Sequence, residues 1–144
     1  MLVSQILKLK ADDGVVTIGP AASVADAANM LSTRKIGSVV VSSDNKTALG
    51  ILSERDIVRE IGKRGAGCLS ETVDSMMTKK LVTCTSSDRA DSILSQMTEG
   101  RFRHMPVVEG GEMIGLITLG DVVKARLSEL SMEKDALEGM IMGH

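Results

Sequence analysis

Apolar positions along this chain fall into two rhythms that alternate. In two stretches they recur at i, i+3, i+4 and i+7: Val24, Ala27, Ala28 and Leu31, then Ala90, Ile93, Leu94 and Met97. That spacing lines one face of a 3.6-residue period and predicts an amphipathic helix at each place. Ser23 with Asp26 forms a capping box for the first. A short apolar run follows each helix, Ser38 to Val41 and Met105 to Val108, and reads as a buried strand. Turn residues come next, Ser43-Asp44-Asn45 and Gly110-Gly111. Return strands Ala48 to Leu52 and Met113 to Ile117 then close two hairpins. A second helix opens near Asp56 in one place and near Asp121 in the other. Ahead of the first helices lie short strands, Val15 to Ile18 and Leu81 to Thr85, each ended by a turn: Gly19-Pro20 and Ser86-Ser87-Asp88.

The same order of elements twice is an internal repeat. Val16-Thr17 falls on Val82-Thr83 at an offset of 66 residues, and Ile36, Val39 and Val41 fall on Phe102, Met105 and Val107. Past the hairpin turn the offset is 65, and Gly50-Ile51-Leu52-Ser53 falls on Gly115-Leu116-Ile117-Thr118. Val3 to Leu7 matches Val73 to Met77 as a lead-in. Each unit is β-α-β-β-α, an α+β arrangement. Two in tandem, related by a pseudo-two-fold axis, bury what one cannot, which makes one module with two equivalent clefts. The expected organisation is a first repeat over 1–61, a linker over 62–70, a second repeat over 71–127 and a helical tail over 128–144. Gly62-Lys63-Arg64-Gly65-Ala66-Gly67 reads as linker: its glycines are not in G-x-G-x-x-G order and no strand precedes them. In the tail, Leu130, Leu137, Met140 and Ile141 suit an appended helix that packs on a partner subunit.

Composition narrows the chemistry. At 144 residues, 43% hydrophobic and 25% charged, the chain folds without needing a disulfide or metal staple. Seventeen basic against 19 acidic residues give a net charge of −2, which provides no general field for nucleic acid. Phe102 is the one aromatic residue, so no stacking platform for single strands exists. Ten methionines serve the core as gap-fillers. Cys68 and Cys84 form neither a zinc pattern nor a disulfide framework and read as free thiols in a reducing compartment. No apolar run reaches a membrane span and no signal peptide opens the chain, so the expected location is the cytoplasm.

The end of each unit carries the most specific signal: Gly50-Ile51-Leu52-Ser53-Glu54-Arg55-Asp56 and Gly115-Leu116-Ile117-Thr118-Leu119-Gly120-Asp121. Glycine, apolar, any residue, Ser/Thr, two residues, Asp is kept in both, in register with the repeat. With Ile36-Gly37-Ser38 and Phe102-Arg103-His104-Met105-Pro106-Val107-Val108, it resembles the tandem CBS (cystathionine β-synthase) domain pair, or Bateman module, over roughly 1–127. The resemblance implies that Ser53, Asp56, Thr118 and Asp121 contact the ribose and phosphate of a nucleotide. It implies that adenine sits between the first and middle strands of a unit, at Thr17, Ile18, Ile36 and Val39 in one cleft and at Val82, Thr83, Met105 and Pro106 in the other. It also implies a homodimer.

Elementary chemistry keeps two readings of the motif open. A hydroxyl and a carboxylate three residues apart at a helix start form an N-cap, and an early acid suits the helix dipole. An exposed carboxylate there also accepts from ribose hydroxyls, beside N–H groups that face phosphate. The two roles are compatible. Charge distinguishes the clefts: Arg101, Arg103 and His104 stand where the first copy has Lys35, Gly37 and Ser38. These cations are either a solvated face or a phosphate clamp, and if Arg55 reaches the same space a diphosphate fits. Unequal sites are expected, one for a monophosphate and one able to take a dinucleotide.

The expected function is a stand-alone regulatory module that binds an adenosine nucleotide (AMP, ATP or NAD(H)), with S-adenosylmethionine less favoured, and signals to an unknown regulated protein by population shift. No metal is called for. Catalysis is not expected. Ser53, Thr118, Cys68 and Cys84 are the available nucleophiles and His104 and His144 the only histidines, but no signature assembles them. Nucleic-acid binding, or a protein-interaction scaffold without a small ligand, is the alternative.

Overall fold

The computed structural model describes residues 1–10 and 14–142. The first repeat folds as β1 (Thr17–Ile18), α2 (Val24–Arg34), β2 (Ser38–Val41), β3 (Gly50–Ser53) and α3 (Glu54–Arg64), preceded by α1 (Val3–Leu9). The second is preceded by α4 (Val73–Met76) and folds as α5 (Ala90–Gly100), β4 (His104–Glu109), β5 (Glu112–Thr118) and α6 (Leu119–Ile141). In the first sheet β1 runs parallel to β2, and β2 antiparallel to β3. In the second, β4 and β5 form an antiparallel hairpin.

Local chemistry sets the turns. Asp44 accepts backbone N–H bonds from Lys46 and Thr47 at 2.8 Å, and Asn45 takes a positive φ of 62°. Those two bonds, Thr47 first, hold the Asp44 carboxyl down at about 2. Gly110 and Gly111, with φ of 59° and 80°, make the two-residue turn that the second hairpin requires.

The strand expected over Leu81 to Thr85 is absent. Its remnant is one parallel bridge, Cys84 to Val107, the counterpart of Ile18 to Val41. Pro106 removes one of its ladder bonds. In the first sheet the Val40 N–H donates to the Val16 carbonyl at 3.1 Å, and Pro106 stands where Val40 does with no N–H to donate. Val15 and Val16 likewise fall outside β1.

The lead-in helices are exchanged. Val3 and Ile6 of α1 lie in the core of the second repeat with Ile93, Met97, Met105, Val107 and Ile117. Val73 of α4 lies in the core of the first with Val24, Leu31, Val39, Val41 and Leu52. The backbone bonds that dock them correspond pair by pair: Val3 N–H to Asp88 O and Val73 N–H to Ala22 O, both 2.8 Å. Ala90 N–H to Met1 O and Val24 N–H to Glu71 O, both 2.9 Å, form the next pair. The motif glycines make room for this exchange. A Cβ on Gly50 would lie 2.8 Å from the Thr78 carbonyl oxygen, and one on Gly115 would lie 2.7 Å from Leu7 Cδ2.

Two segments differ from expectation. α3 continues through Gly62 and Lys63 to Arg64, which pairs with Glu60 one turn back and with Glu71 beyond. A 3₁₀ turn over Ala66–Ser70 then buries Cys68. Residues 128–141 are not a separate helix but the second half of α6, which runs unbroken from Leu119. Among the described residues no helix is long and apolar enough to cross a membrane.

Candidate functional site

Both repeats end their hairpin in the same device. Ser53 is the N-cap of α3: the Asp56 N–H donates to its Oγ at 3.2 Å, and the Ser53 N–H donates back to Asp56 Oδ2 at 3.0 Å. Thr118 does the same for α6, with Asp121 N–H to Oγ1 at 3.1 Å and Thr118 N–H to Asp121 Oδ2 at 2.9 Å. The capping reading of the motif therefore holds in full, and each carboxylate is fixed at the positive end of a helix.

Residues of both repeats meet around each cap. Ser53, Arg55, Asp56 and Arg59 share a cavity of about 1240 Å³ with Lys80, Leu81 and Val82 and with the segment Gly100–His104. Thr118, Gly120, Val123 and Lys124 complete its wall. Six cations and His104 thus face two carboxylates, Glu54 and Asp56, in a chain whose net charge is −2. Arg55 and the arginines 101 and 103 do reach one space. The pseudo-equivalent cavity is about 420 Å³ and is lined by Lys10, Gly14, Val15, Val16, Lys35–Ser38, His104, Leu116 and Thr118. Gly37, His104 and Thr118 belong to both walls.

Each cavity has a cation in a strained position. Lys35 and Arg101 end α2 and α5 in the left-handed region, both at φ 54°, where glycine is the usual residue. That conformation costs a side-chain-bearing residue about 1–2 kcal/mol. Strain of this kind concentrates at binding sites.

The carboxylates differ in their partners. Asp56 accepts from Ser53 Oγ at 2.9 Å and, through Oδ1, from Arg59 at 2.9 Å. Asp121 Oδ2 is 2.9 Å from Lys10 Nζ, which also donates to the Leu116 carbonyl at 2.8 Å. Burial pushes the Asp121 carboxyl up, but Lys10 and the Thr118 N–H outweigh it and its pKa ends below the usual 3.8. His104 is held below 6.5, by burial first and then by Arg103 and Lys10, against the pull of Glu54 and Asp121. Ser38, its counterpart, is 4% exposed, and its Oγ has no hydrogen-bond partner among the described residues.

Of the residues named from sequence, Ser53, Arg55, Asp56, Val82, Arg101 and Arg103 line the large cavity, Ile36 and Ser38 the small one, and Gly37, His104 and Thr118 both. Asp121 lines neither cavity; its partners Lys10 and Thr118 line the small one. Ile18, Val39 and Met105 are core residues, and Pro106 is buried beside them. Thr17 is turned to Asn45, and exposed Thr83 lines neither cavity. Phe102, Lys80, Leu81, Arg59 and Lys10 were missed. Phe102 is the counterpart of Ile36, so carrying that choice across the repeat would have found it.

The nucleophile candidates are otherwise engaged. Ser53 and Thr118 cap helices, Cys68 and Cys84 are buried, and desolvation with the nearby Asp88 charge pushes the Cys84 thiol up to about 12. His144 lies outside the described residues. Among those described, no group of three His, Cys, Asp or Glu is placed to hold a metal ion.

A duplicated α+β module with two unequal cavities, each reached by the Ser or Thr that caps a helix, is the class that fold and site define. The CBS domain model matches residues 3–63 and 73–128, and the chain belongs to that family, as a tandem pair. It is 34% identical over 125 residues to the CBS domain-containing protein CBSX3, mitochondrial, of Arabidopsis thaliana, covering 84% of this chain and 61% of that one. Among solved structures it is similar to the CBS-domain containing protein ATU1752 from Agrobacterium tumefaciens, at 44% identity and a TM-score of 0.83, covering 88% and 99% of the two chains. It is also similar to CBSX2 in complex with AMP, at 27% identity and a TM-score of 0.73, covering 88% and 96%.

Proposed function

We propose that this CBS pair binds an adenosine nucleotide in the large cavity and passes the occupancy to a partner protein, without catalysing a reaction on it. The observation that carries the reading is the concentration of six cations around the Asp56 cap. Guanidinium forks match phosphate oxygens, and the carboxylate accepts from ribose hydroxyls. The AMP bound by CBSX2 supports an adenosine monophosphate core. The cavity exceeds the usual range for a small ligand, about 300–1,000 Å³, which suits a second phosphate or a dinucleotide such as NAD(H). The small cavity suits a monophosphate.

The signal arises because the walls belong to different repeats. A ligand held by Asp56 and Arg55 on one side and by Arg101 and Arg103 on the other fixes their mutual angle, and a partner that prefers that angle reads it. A second copy of the chain is the expected neighbour. Leu127, Leu130, Leu137 and Ile141 are exposed along α6 at spacings of three, seven and four residues, a stripe suited to a helix from a two-fold mate.

Calorimetric titration of ligand-stripped protein with AMP, ATP, NAD, NADH and S-adenosylmethionine tests the reading. Asp56→Ala weakening a micromolar nucleotide more than Asp121→Ala supports it. No heat and no thermal shift with any of the five overturns it.

A further inference from the structure

Lys10 and Lys80 occupy equivalent places, each following a lead-in helix into one of the cavities, and they end differently. Lys80 is exposed on the wall of the large cavity and makes no ion pair among the described residues. Lys10 crosses to the second repeat and sits on Asp121 Oδ2 and the Leu116 carbonyl. The backbone explains the difference. α4 stops at Met76, so Thr78 runs beside β3 and exchanges N–H···O bonds with Ile51, at 2.8 and 3.0 Å. α1 continues to Leu9, so its counterpart of Thr78 is still helical and leaves the Leu116 carbonyl open to a side chain. The Lys10 and Asp121 side chains are 21% and 22% exposed, so neither is fully repaid by water when the pair is broken.

We propose that Lys10 makes the small cavity selective for anionic ligands, because it occupies the carboxylate a ribose would use and yields it only to a ligand whose phosphate it can follow. A neutral nucleoside offers hydroxyls to Asp121 but nothing to Lys10, whereas a nucleotide re-pairs both charges. Lys35, held in its left-handed conformation on the same wall, adds a second cation for that phosphate. The Ser38 Oγ, buried and without a partner among the described residues, gives the cavity a further polar group. The inference rests on the nucleotide reading of the two cavities and names the residue that sets selectivity in the smaller one.

The test uses Asp56→Asn protein, in which the large cavity is weakened, titrated with AMP and with adenosine. Expected is a preference for AMP of about tenfold or more, the scale of one charge-assisted hydrogen bond. Lys10→Met in that background strengthens adenosine, weakens AMP and brings the two to near equality, and Lys10→Arg restores the preference. An AMP-to-adenosine ratio unchanged by Lys10→Met overturns the proposal. A ligand-free readout runs beside it: the Asp121 carboxyl titration followed by ¹³C NMR moves up in Lys10→Met, and a midpoint that stays put overturns the proposal as well. Wild-type protein that takes up neither ligand in either cavity, while the Asp121 midpoint moves as expected, places the failure in the nucleotide reading, and the selectivity falls with it while the ion pair stands.

Discussion

The large cavity surrounds Asp56 with Arg55, Arg59, Lys80, Arg101, Arg103 and Lys124, while its pseudo-symmetric counterpart has Lys10 and Lys35; each acid already holds one cation, Arg59 on Asp56 from its own helix and Lys10 on Asp121 from the other repeat. The backbones that frame the two are nearly superposable in their bonding. The Glu54 N–H donates to Gly37 O at 2.9 Å as the Leu119 N–H donates to Arg103 O at 2.8 Å, and both helices open with the same capping box. Duplication thus fixes where a ligand can sit, and side chains at a few equivalent positions decide which ligand each place accepts. Sharp tests of the comparison are pairs of equivalent substitutions whose outcomes should differ.

The largest expected difference lies under the exchanged helices. In Gly50→Ala the new methyl meets the Thr78 carbonyl oxygen, which belongs to a residue pinned by two backbone hydrogen bonds to Ile51. It also meets Met77. In Gly115→Ala it meets only the tip of Leu7, which can rotate away. Gly50→Ala should therefore cost about 1–3 kcal/mol, the usual range for overpacking, and Gly115→Ala less than about 1 kcal/mol. Urea midpoints at constant m-value measure both. Equal losses would mean that the two lead-in helices are docked with the same rigidity.

Next come the two strained cations. Lys35→Gly and Arg101→Gly each relieve a left-handed residue, so both variants should gain about 1 kcal/mol of stability, less the chain entropy glycine adds. Only Arg101→Gly should weaken the nucleotide of the large cavity, by about tenfold for one lost charge-assisted bond. Thermal midpoints give the first quantity and calorimetry the second. A strained cation whose removal both stabilises and disarms the protein is the trade expected of a binding residue. If Arg101→Gly leaves nucleotide affinity intact, the cations of that cavity are a solvated face.

How much of this was legible in the sequence depended on which level carried the information. Periodicity gave α2, α5 and both hairpins, and the repeated glycine-to-aspartate motif located both caps, because those features are local and written twice. Three things were not local. Pro106 removes a ladder bond from a strand more than twenty residues away in sequence, so Leu81 to Thr85 read as a strand on its own composition. The lead-in segments read as part of the repeat they precede in sequence, whereas each packs in the core of the other. The choice of Thr17, Ile18, Val39, Thr83, Met105 and Pro106 as a ligand slot followed the family resemblance to whole strands. The cavities take their walls from strand beginnings and helix ends instead, at Gly37, Ser38, Arg103 and His104. Lys10 was overlooked because nothing in its neighbourhood marks it: its partner is 111 positions away, from residue 10 to residue 121.

A third pair compares His104 with Ser38 through pH. The folded protein holds the His104 imidazole below 6.5, so as pH falls the unfolded chain takes that proton first. Stability from this site is fully present above 6.5 and falls as pH drops through 6.5 toward the folded value. His104→Ser gives both repeats a serine there and should flatten the curve between pH 7 and 5.5. The Asp121 contribution runs in a separate window. Its carboxyl is depressed below 3.8, so that stability is present above the ordinary carboxylate range and is lost at more acid pH. Denaturation at stepped pH separates the two. A slope near neutrality that survives His104→Ser would assign it to another group.

The smallest expected effect tests why the two sheets differ at all. Pro106→Val supplies an N–H where Val40 has one, opposite Val82 as Val40 is opposite Val16. If the missing donor is the whole cause, the variant should form that bond and extend the Cys84 bridge into a short strand like β1. One partly exposed backbone bond is worth about 0.5–1.5 kcal/mol, and the added freedom of the unfolded chain cancels about 0.4–1 kcal/mol of it. Net stability should therefore hardly move, and amide exchange is the better measure. Slowed exchange at residue 106 and at Cys84, with an unchanged melting point, would show that one proline donor separates a three-stranded sheet from a two-stranded one. Rapid exchange at residue 106 in the variant would place the cause in the segment around Lys80 and Val82 instead. There the chain is drawn toward the large cavity, and the ligand site rather than the sheet would be setting its path.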